Sequence, residues 1–180
     1  MLKFFLLLLA FLMIFSSASA KTSLKKKSQK VLSSSILPCA NPASLLNRGL
    51  NQPLMLTNIE GNMAGNLVFA SVVVDTNPNY NQADYTNNQW CVRAGNKIQH
   101  MGTGLYIEQG YTCTASGQCN PNGSVYADWE GTAVTVNAVD KNWSVLNTAN
   151  GALTGHTDGT VTLETAVSGN LNQEWEFFAV

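Results

Sequence analysis

Three tryptophans close similar polar stretches: Asn87-Asn88-Gln89-Trp90, Asp140-Lys141-Asn142-Trp143 and Asn172-Gln173-Glu174-Trp175. Their separations are 53 and 32 residues, averaging about 42. Gly95-Asn96-Lys97-Ile98-Gln99-His100 and then Gly104-Leu105-Tyr106-Ile107-Glu108 follow the first of them. Asn150 to His156 and then Gly159-Thr160-Val161-Thr162-Leu163-Glu164 follow the second. A shift of 56 places His100 on His156, Leu105 on Val161, Ile107 on Leu163 and Glu108 on Glu164. One unit of ~40 residues cannot bury its own apolar face, so three of them must close on one another or stack.

The units read as strands. From Leu37 onward the apolar residues come in short runs: Leu54-Met55-Leu56, Leu67 to Val74, Leu105-Tyr106-Ile107, Val134-Thr135-Val136 and Val161-Thr162-Leu163. Gly, Asn and Asp clusters separate these runs, and no stretch holds a helical period. Thr157-Asp158-Gly159-Thr160 predicts a tight hairpin, because Asp-Gly accepts positive φ. The chain is all-β.

Residues 1 to 20 read as a secretory signal. Lys3 gives the positive start, Phe4 to Phe15 the apolar core, and Ala18-Ser19-Ala20 the small-x-small cleavage pattern. The core falls short of the ~20 residues that cross a bilayer, so no transmembrane segment is expected. Residues 21 to 36 form a basic, Ser-rich tail, Lys25-Lys26-Lys27-Ser28-Gln29-Lys30 at its centre, and residues 37 to 180 form the folded domain. Secretion means an oxidising compartment, where the four cysteines are expected to pair. Cys113 and Cys119 flank a loop flexible enough to close, which leaves Cys39 with Cys91. The spacing lacks a zinc-binding pair, and neither histidine is near one, so no metal or other cofactor is expected. Asn122-Gly123-Ser124 and Asn142-Trp143-Ser144 are sequons for N-glycans.

From Val31 onward four basic residues face eleven acidic ones, a net charge of −7. A nucleic-acid partner needs a basic face to displace counterions, and this domain has none.

The polar-x-Trp that closes each unit, followed by a Gly-rich step and a short Gly-x-Tyr/Val-x-Ile/Leu strand, resembles the ricin B-type lectin domain. The resemblance spans about residues 45 to 180. It implies a β-trefoil of three pseudo-repeats: a six-stranded barrel closed by three hairpins, with Trp90, Trp143 and Trp175 in the core. It also implies a shallow sugar pocket built from an early Asp, an aromatic platform and an Asn-Gln pair before the Trp. Asn172 and Gln173 match that pair, Asn87 and Asn88 form a degraded copy, and Asp140-Lys141 replaces it in the middle unit. Asp158 is the expected acid, and no aromatic follows Val161-Thr162-Leu163 where the platform belongs.

Sugar recognition also suits the residue types. Amide and carboxylate side chains pair with hydroxyls that donate and accept, while aromatic faces pack on ring C–H groups. Asparagine occurs twenty times. The loop Asp75 to Tyr85 and the segment Tyr126-Ala127-Asp128-Trp129-Glu130 hold the densest polar–aromatic clusters. Catalysis is not expected. Glu174 and Glu176 alternate with Trp175 and Phe177 on a strand, which predicts solvated acids, and Asp128 and Glu130 admit the same reading. The resulting expectation is a secreted, non-catalytic protein with glycans or glycoproteins as partners. A secreted structural, coat or inhibitor-type trefoil with eroded sugar sites is the alternative.

Overall fold

The computed structural model describes residues 41–61, 67–76 and 88–179. Six strands close a barrel: β1 (Ala43–Asn47), β4 (Gln89–Arg93), β5 (Lys97–His100), β8 (Thr135–Ala138), β9 (Ser144–Thr148) and β12 (Glu174–Ala179). Antiparallel pairing runs β1–β4, β4–β5, β8–β9, β9–β12 and β12–β1. The ring closes between β5 and the residues just before β8, where Lys97 bridges Ala133. Closure removes the free edges that an open sheet would present.

The other six strands make three hairpins: β2 (Gln52–Gly61) with β3 (Leu67–Val74), β6 (Tyr106–Cys113) with β7 (Cys119–Asp128), and β10 (Gly151–Gly155) with β11 (Val161–Glu164). The hairpins pair with one another in a triangle. Ala70 faces Ala127, Ser124 faces Thr162, and Val73 bridges Thr160. A six-stranded barrel capped by a closed triangle of hairpins is a β-trefoil. Cys113 and Cys119 form a disulfide across the β6–β7 turn. Cys91 is also disulfide-bonded, and Cys39, its expected partner, lies outside the described residues.

Strand register gives the true repeat. Within each unit the first barrel strand pairs with the last: Ser44 with Gln89, Lys97 with Ala133, and Val145 with Glu174. Superposing those pairs puts Leu45, Ile98 and Leu146 in one core layer, at 0%, 1% and 0% exposure. The strand that follows adds Leu54, Ile107 and Leu153, all buried. The last strand adds Trp90, Val134 and Trp175. Both indoles are fully buried, and each donates its N–H to a core-strand carbonyl, Trp90 to Leu54 at 3.0 Å and Trp175 to Leu153 at 2.8 Å. An aromatic this large is accommodated inside when its polar edge has a partner.

Trp143 is therefore not a third core tryptophan. It is half-buried in the β8–β9 turn, with the Arg48 guanidinium 5.3 Å from its ring centroid, and Val134 fills its expected place. The shift of 56 also fails, because it sets β6 on β11, whereas pairing sets β6 on β10. His100 corresponds to Asn47 and Thr148, not to His156. Those three share a role. Asn47 Oδ1 accepts the Leu50 N–H at 3.1 Å, His100 Nδ1 that of Thr103 at 3.2 Å, and Thr148 Oγ1 that of Asn150 at 3.1 Å. Each accepts a turn N–H from two or three residues on, as polar side chains at turns do.

Candidate functional site

The described residues expected to bind ligand sit in different settings: an exposed turn, a half-buried position and the interior. Asp158 is exposed in the β10–β11 turn, and its Oδ1 accepts from the Thr160 N–H at 2.9 Å and the Thr160 hydroxyl at 2.7 Å. Those bonds hold its carboxyl below the usual range. The expected turn is there, with Gly159 at φ +87°, but Asp158 does not share the positive φ and the connection spans residues 156–160 rather than a tight two-residue hairpin. Asn172 is half-buried, and its carbonyl accepts from Asn47 Nδ2 at 2.8 Å. The β1–β2 turn presses on its side chain so closely that a Cβ on Gly49 would lie 2.0 Å from its Oδ1.

Gln173 is inside, at 1% exposure. Its Nε2 donates to Thr154 Oγ1 at 3.1 Å and the Thr165 carbonyl at 3.0 Å, and its Oε1 accepts the Val167 N–H at 2.8 Å. This amide is committed to holding the 165–167 loop, and neither of its ends reaches solvent. Asn88, its counterpart in the first unit, is fully buried as well. Asn87 and most of the Asp75–Tyr85 loop lie outside the described residues.

Glu174 corrects another expectation. It does face away from Trp175, as alternation requires, yet it is 2% exposed rather than solvated. The β1–β2 turn covers it: Arg48 Nη1 lies 2.6 Å from Glu174 Oε2, and the Arg48 N–H donates to the Glu174 carbonyl at 2.9 Å. The same guanidinium reaches Asp140 Oδ2 at 3.2 Å and lies over Trp143. Amide N–H bonds from Asn142 and Trp143, reinforced by Arg48, hold the Asp140 carboxyl below its usual range.

Beside that cluster lies a shallow, open groove between the β8–β9 hairpin and the 166–169 loop. Register explains its composition. Thr135, Asn137, Val145 and Asn147 share the outer face of the hairpin, opposite core Leu146, and Glu174 pairs with Val145. Val139, Val145 and Val167 give the groove an apolar wall, and Asn137, Asn147 and Ser168 give it polar groups. Those three side chains make no hydrogen bond to any other described residue. Shallow and open, with uncommitted polar side chains beside an apolar wall, the groove offers a small ligand both hydrogen-bonding and apolar contact. Sequence reading missed it. The usable signal was one outward Asn on each strand of the hairpin, Asn137 and Asn147, which twenty asparagines obscured.

A second cluster lies on the outer face of β6–β7, where Tyr106 pairs with Asp128 and Glu108 with Tyr126. Burial raises the Glu108 and Asp128 carboxyls above their usual range, Glu108 while accepting from the Thr132 hydroxyl at 2.6 Å. Asp128 is thus partly desolvated, not a free surface acid, and it caps the Glu130 N–H at 2.8 Å. On the third hairpin, His156 Nε2 contacts Thr162 Oγ1 at 2.8 Å and Glu164 Oε1 at 3.2 Å. A nucleophile relay needs the acid and the hydroxyl on opposite ring nitrogens, and here one nitrogen serves both. Among the described residues no group of His, Cys, Asp and Glu side chains is arranged to hold a metal ion, and no helix is long and apolar enough to cross a membrane.

No protein-family model matches the chain, and no curated protein matches it. Solved structures do. The Rhizoctonia solani agglutinin is 17% identical at a TM-score of 0.54, over 80% of this chain and 97% of that one. The Macrolepiota procera ricin B-like lectin, in complex with lactose, is 15% identical at 0.50, over 79% and 97%. What is shared is the fold. An exo-β-1,3-galactanase from Clostridium thermocellum is 15% identical at 0.55, over 80% of this chain but only 31% of the enzyme.

Proposed function

We propose that this chain is a secreted, non-catalytic carbohydrate-binding β-trefoil of the ricin B type, and that the β8–β9 groove is its ligand site. The observation that carries this reading is the set of uncommitted Asn137, Asn147 and Ser168 side chains beside Val139, Val145 and Val167 in one groove. Amides both donate and accept, as sugar hydroxyls do, and the valines offer surface to ring C–H groups. Gln173 acts indirectly, by fixing Val167 and hence the far wall.

Two structural likenesses support the ligand class, one to an agglutinin and one to a ricin B-like lectin solved with lactose. The galactanase likeness covers under a third of that enzyme, so it carries no catalytic assignment. The signal-like residues 1 to 20 and the Cys113–Cys119 disulfide support an extracellular location. Asn122 and Asn142 are both exposed, as glycan attachment requires. The test is a glycan array read with wild-type protein and with Asn137→Ala and Asn147→Ala. The reading expects a saturable signal that either substitution weakens, and an array without saturable signal would refute it.

A further inference from the structure

The β6–β7 hairpin divides at Gly110, where the register shifts between Gln109 and Tyr111. Below that point it belongs to the trefoil, with Ile107, Val125 and Ala127 in the core. Beyond it, Tyr111 pairs with Pro121, Thr112 with Asn120 and Cys113 with Cys119. Every residue from 111 to 122 is exposed except Cys113, which is half-buried. Among the described residues, the side-chain and turn hydrogen bonds of this arm stay within it or reach only Gln109 and Asn122. Pro121 brings no N–H to the ladder, and a two-stranded ribbon with no core beneath it is marginal in water. The Cys113–Cys119 disulfide clasps this arm at its tip.

We propose that Cys113–Cys119 is a thiol-exchange site, attacked at Cys119 by a small thiol, and that its opening releases the 111–121 arm while the trefoil stays folded. Disulfide exchange requires a thiolate to reach a sulfur, so access decides which bridge reacts. Cys119 is exposed, and a cysteine side chain is little more than its sulfur. Cys91, also disulfide-bonded, is 5% exposed next to the buried Trp90 in β4. In the first step the attacking thiolate bonds to Cys119 Sγ, the Sγ–Sγ bond breaks, and Cys113 leaves as a thiolate that takes up a proton. A second thiol then displaces Cys119 from the mixed disulfide. Two thiols become one disulfide, and the cystine gains two electrons and two protons. A separation of six residues constrains the unfolded chain less than a long loop does, so little of the domain's stability is tied to this bond. The site is independent of the saccharide groove, which lies against the β8–β9 hairpin.

The experiment treats the oxidised protein with graded reduced glutathione in oxygen-free buffer, blocks free thiols with iodoacetamide and maps both modifications by mass spectrometry. Alkylated Cys113 and a glutathione adduct on Cys119 are expected at a concentration at least about tenfold below the one that labels Cys91. Amide exchange on the reduced protein should quicken by about tenfold or more at the ladder amides of residues 111–121, and stay unchanged at Trp90 and Trp175. Labelling of Cys91 before the pair, or together with it, overturns the exchange site. An adduct on Cys113 in place of Cys119 overturns the direction of attack. Unchanged exchange across 111–121, or lost protection at the two core tryptophans, overturns the released arm.

Discussion

Trp175 donates its indole N–H to the carbonyl of Leu153 at 2.8 Å from a position with no solvent exposure. Trp90 repeats the bond with Leu54 at 3.0 Å, one repeat-equivalent position away. These two residues, and not Trp143, are the aromatic anchors of the trefoil. Trp175→Ala is therefore expected to destabilise the fold by about 3–5 kcal/mol, as a large buried truncation does. Trp143→Ala should cost about 1 kcal/mol or less, because its ring is half-buried at a turn. Urea denaturation of both variants checks the contrast, and equal losses would contradict the core assignment.

Gln173 separates structure from recognition in another way. Three internal bonds leave it nothing to offer a ligand directly. Gln173→Ala should cost about 1–3 kcal/mol through the stranded Thr165 and Val167 backbone groups. It should also loosen the 166–169 wall, so faster amide exchange at Val167 is the expected signature. Unchanged exchange there would show that the loop is held by something else.

Asp158 makes the opposite prediction. Its carboxylate serves the Thr160 N–H and hydroxyl within its own turn, away from the groove. Asp158→Ala should leave glycan affinity within twofold of wild type, roughly the scatter of surface substitutions. A large loss of binding would return the site to the third hairpin.

Much of the fold was legible because β-branched runs between turn residues mark strands whatever surrounds them. Leu67 to Val74 and Val161 to Leu163 sit in β3 and β11, and the Asp158-Gly159 turn joins β10 to β11. The repeat was legible in two tryptophans out of three, because the middle unit fills its core position with Val134, a residue too common to mark anything. The next tryptophan along then took its place in the count. Glu174 was misjudged for a different reason. Strand alternation fixes which way a side chain points, but it cannot foresee that a distant turn carrying Arg48 covers that face. The groove residues Asn137 and Asn147 look like ordinary turn asparagines until pairing sets them on one face.

The β6–β7 face predicts a pH effect. Burial raises the Glu108 carboxyl, and the nearby Asp128 and Glu130 carboxylates raise it further, against the opposing Thr132 bond. A carboxyl raised on folding holds its proton more tightly in the native state than in the unfolded one. Stability is then highest below the unfolded carboxyl range and falls as pH rises through the folded one. Glu108→Gln, which keeps an acceptor for Thr132, should raise the melting temperature at pH 7 and flatten its dependence between about pH 4 and 7. A melting temperature that falls at pH 7 would mean that the ionised carboxylate is stabilising.

The central claim is that the uncommitted amides of the β8–β9 groove receive a saccharide. Its most direct measurement is an NMR titration of the isotope-labelled protein with the best ligand from a glycan array, following side-chain and backbone amides. Saturable shifts centred on Asn137, Asn147 and Val167 are predicted, lost in Asn147→Ala while the rest of the spectrum is preserved. Saturable shifts clustered instead around Asp158 or the β6–β7 face, or none at all, would contradict it.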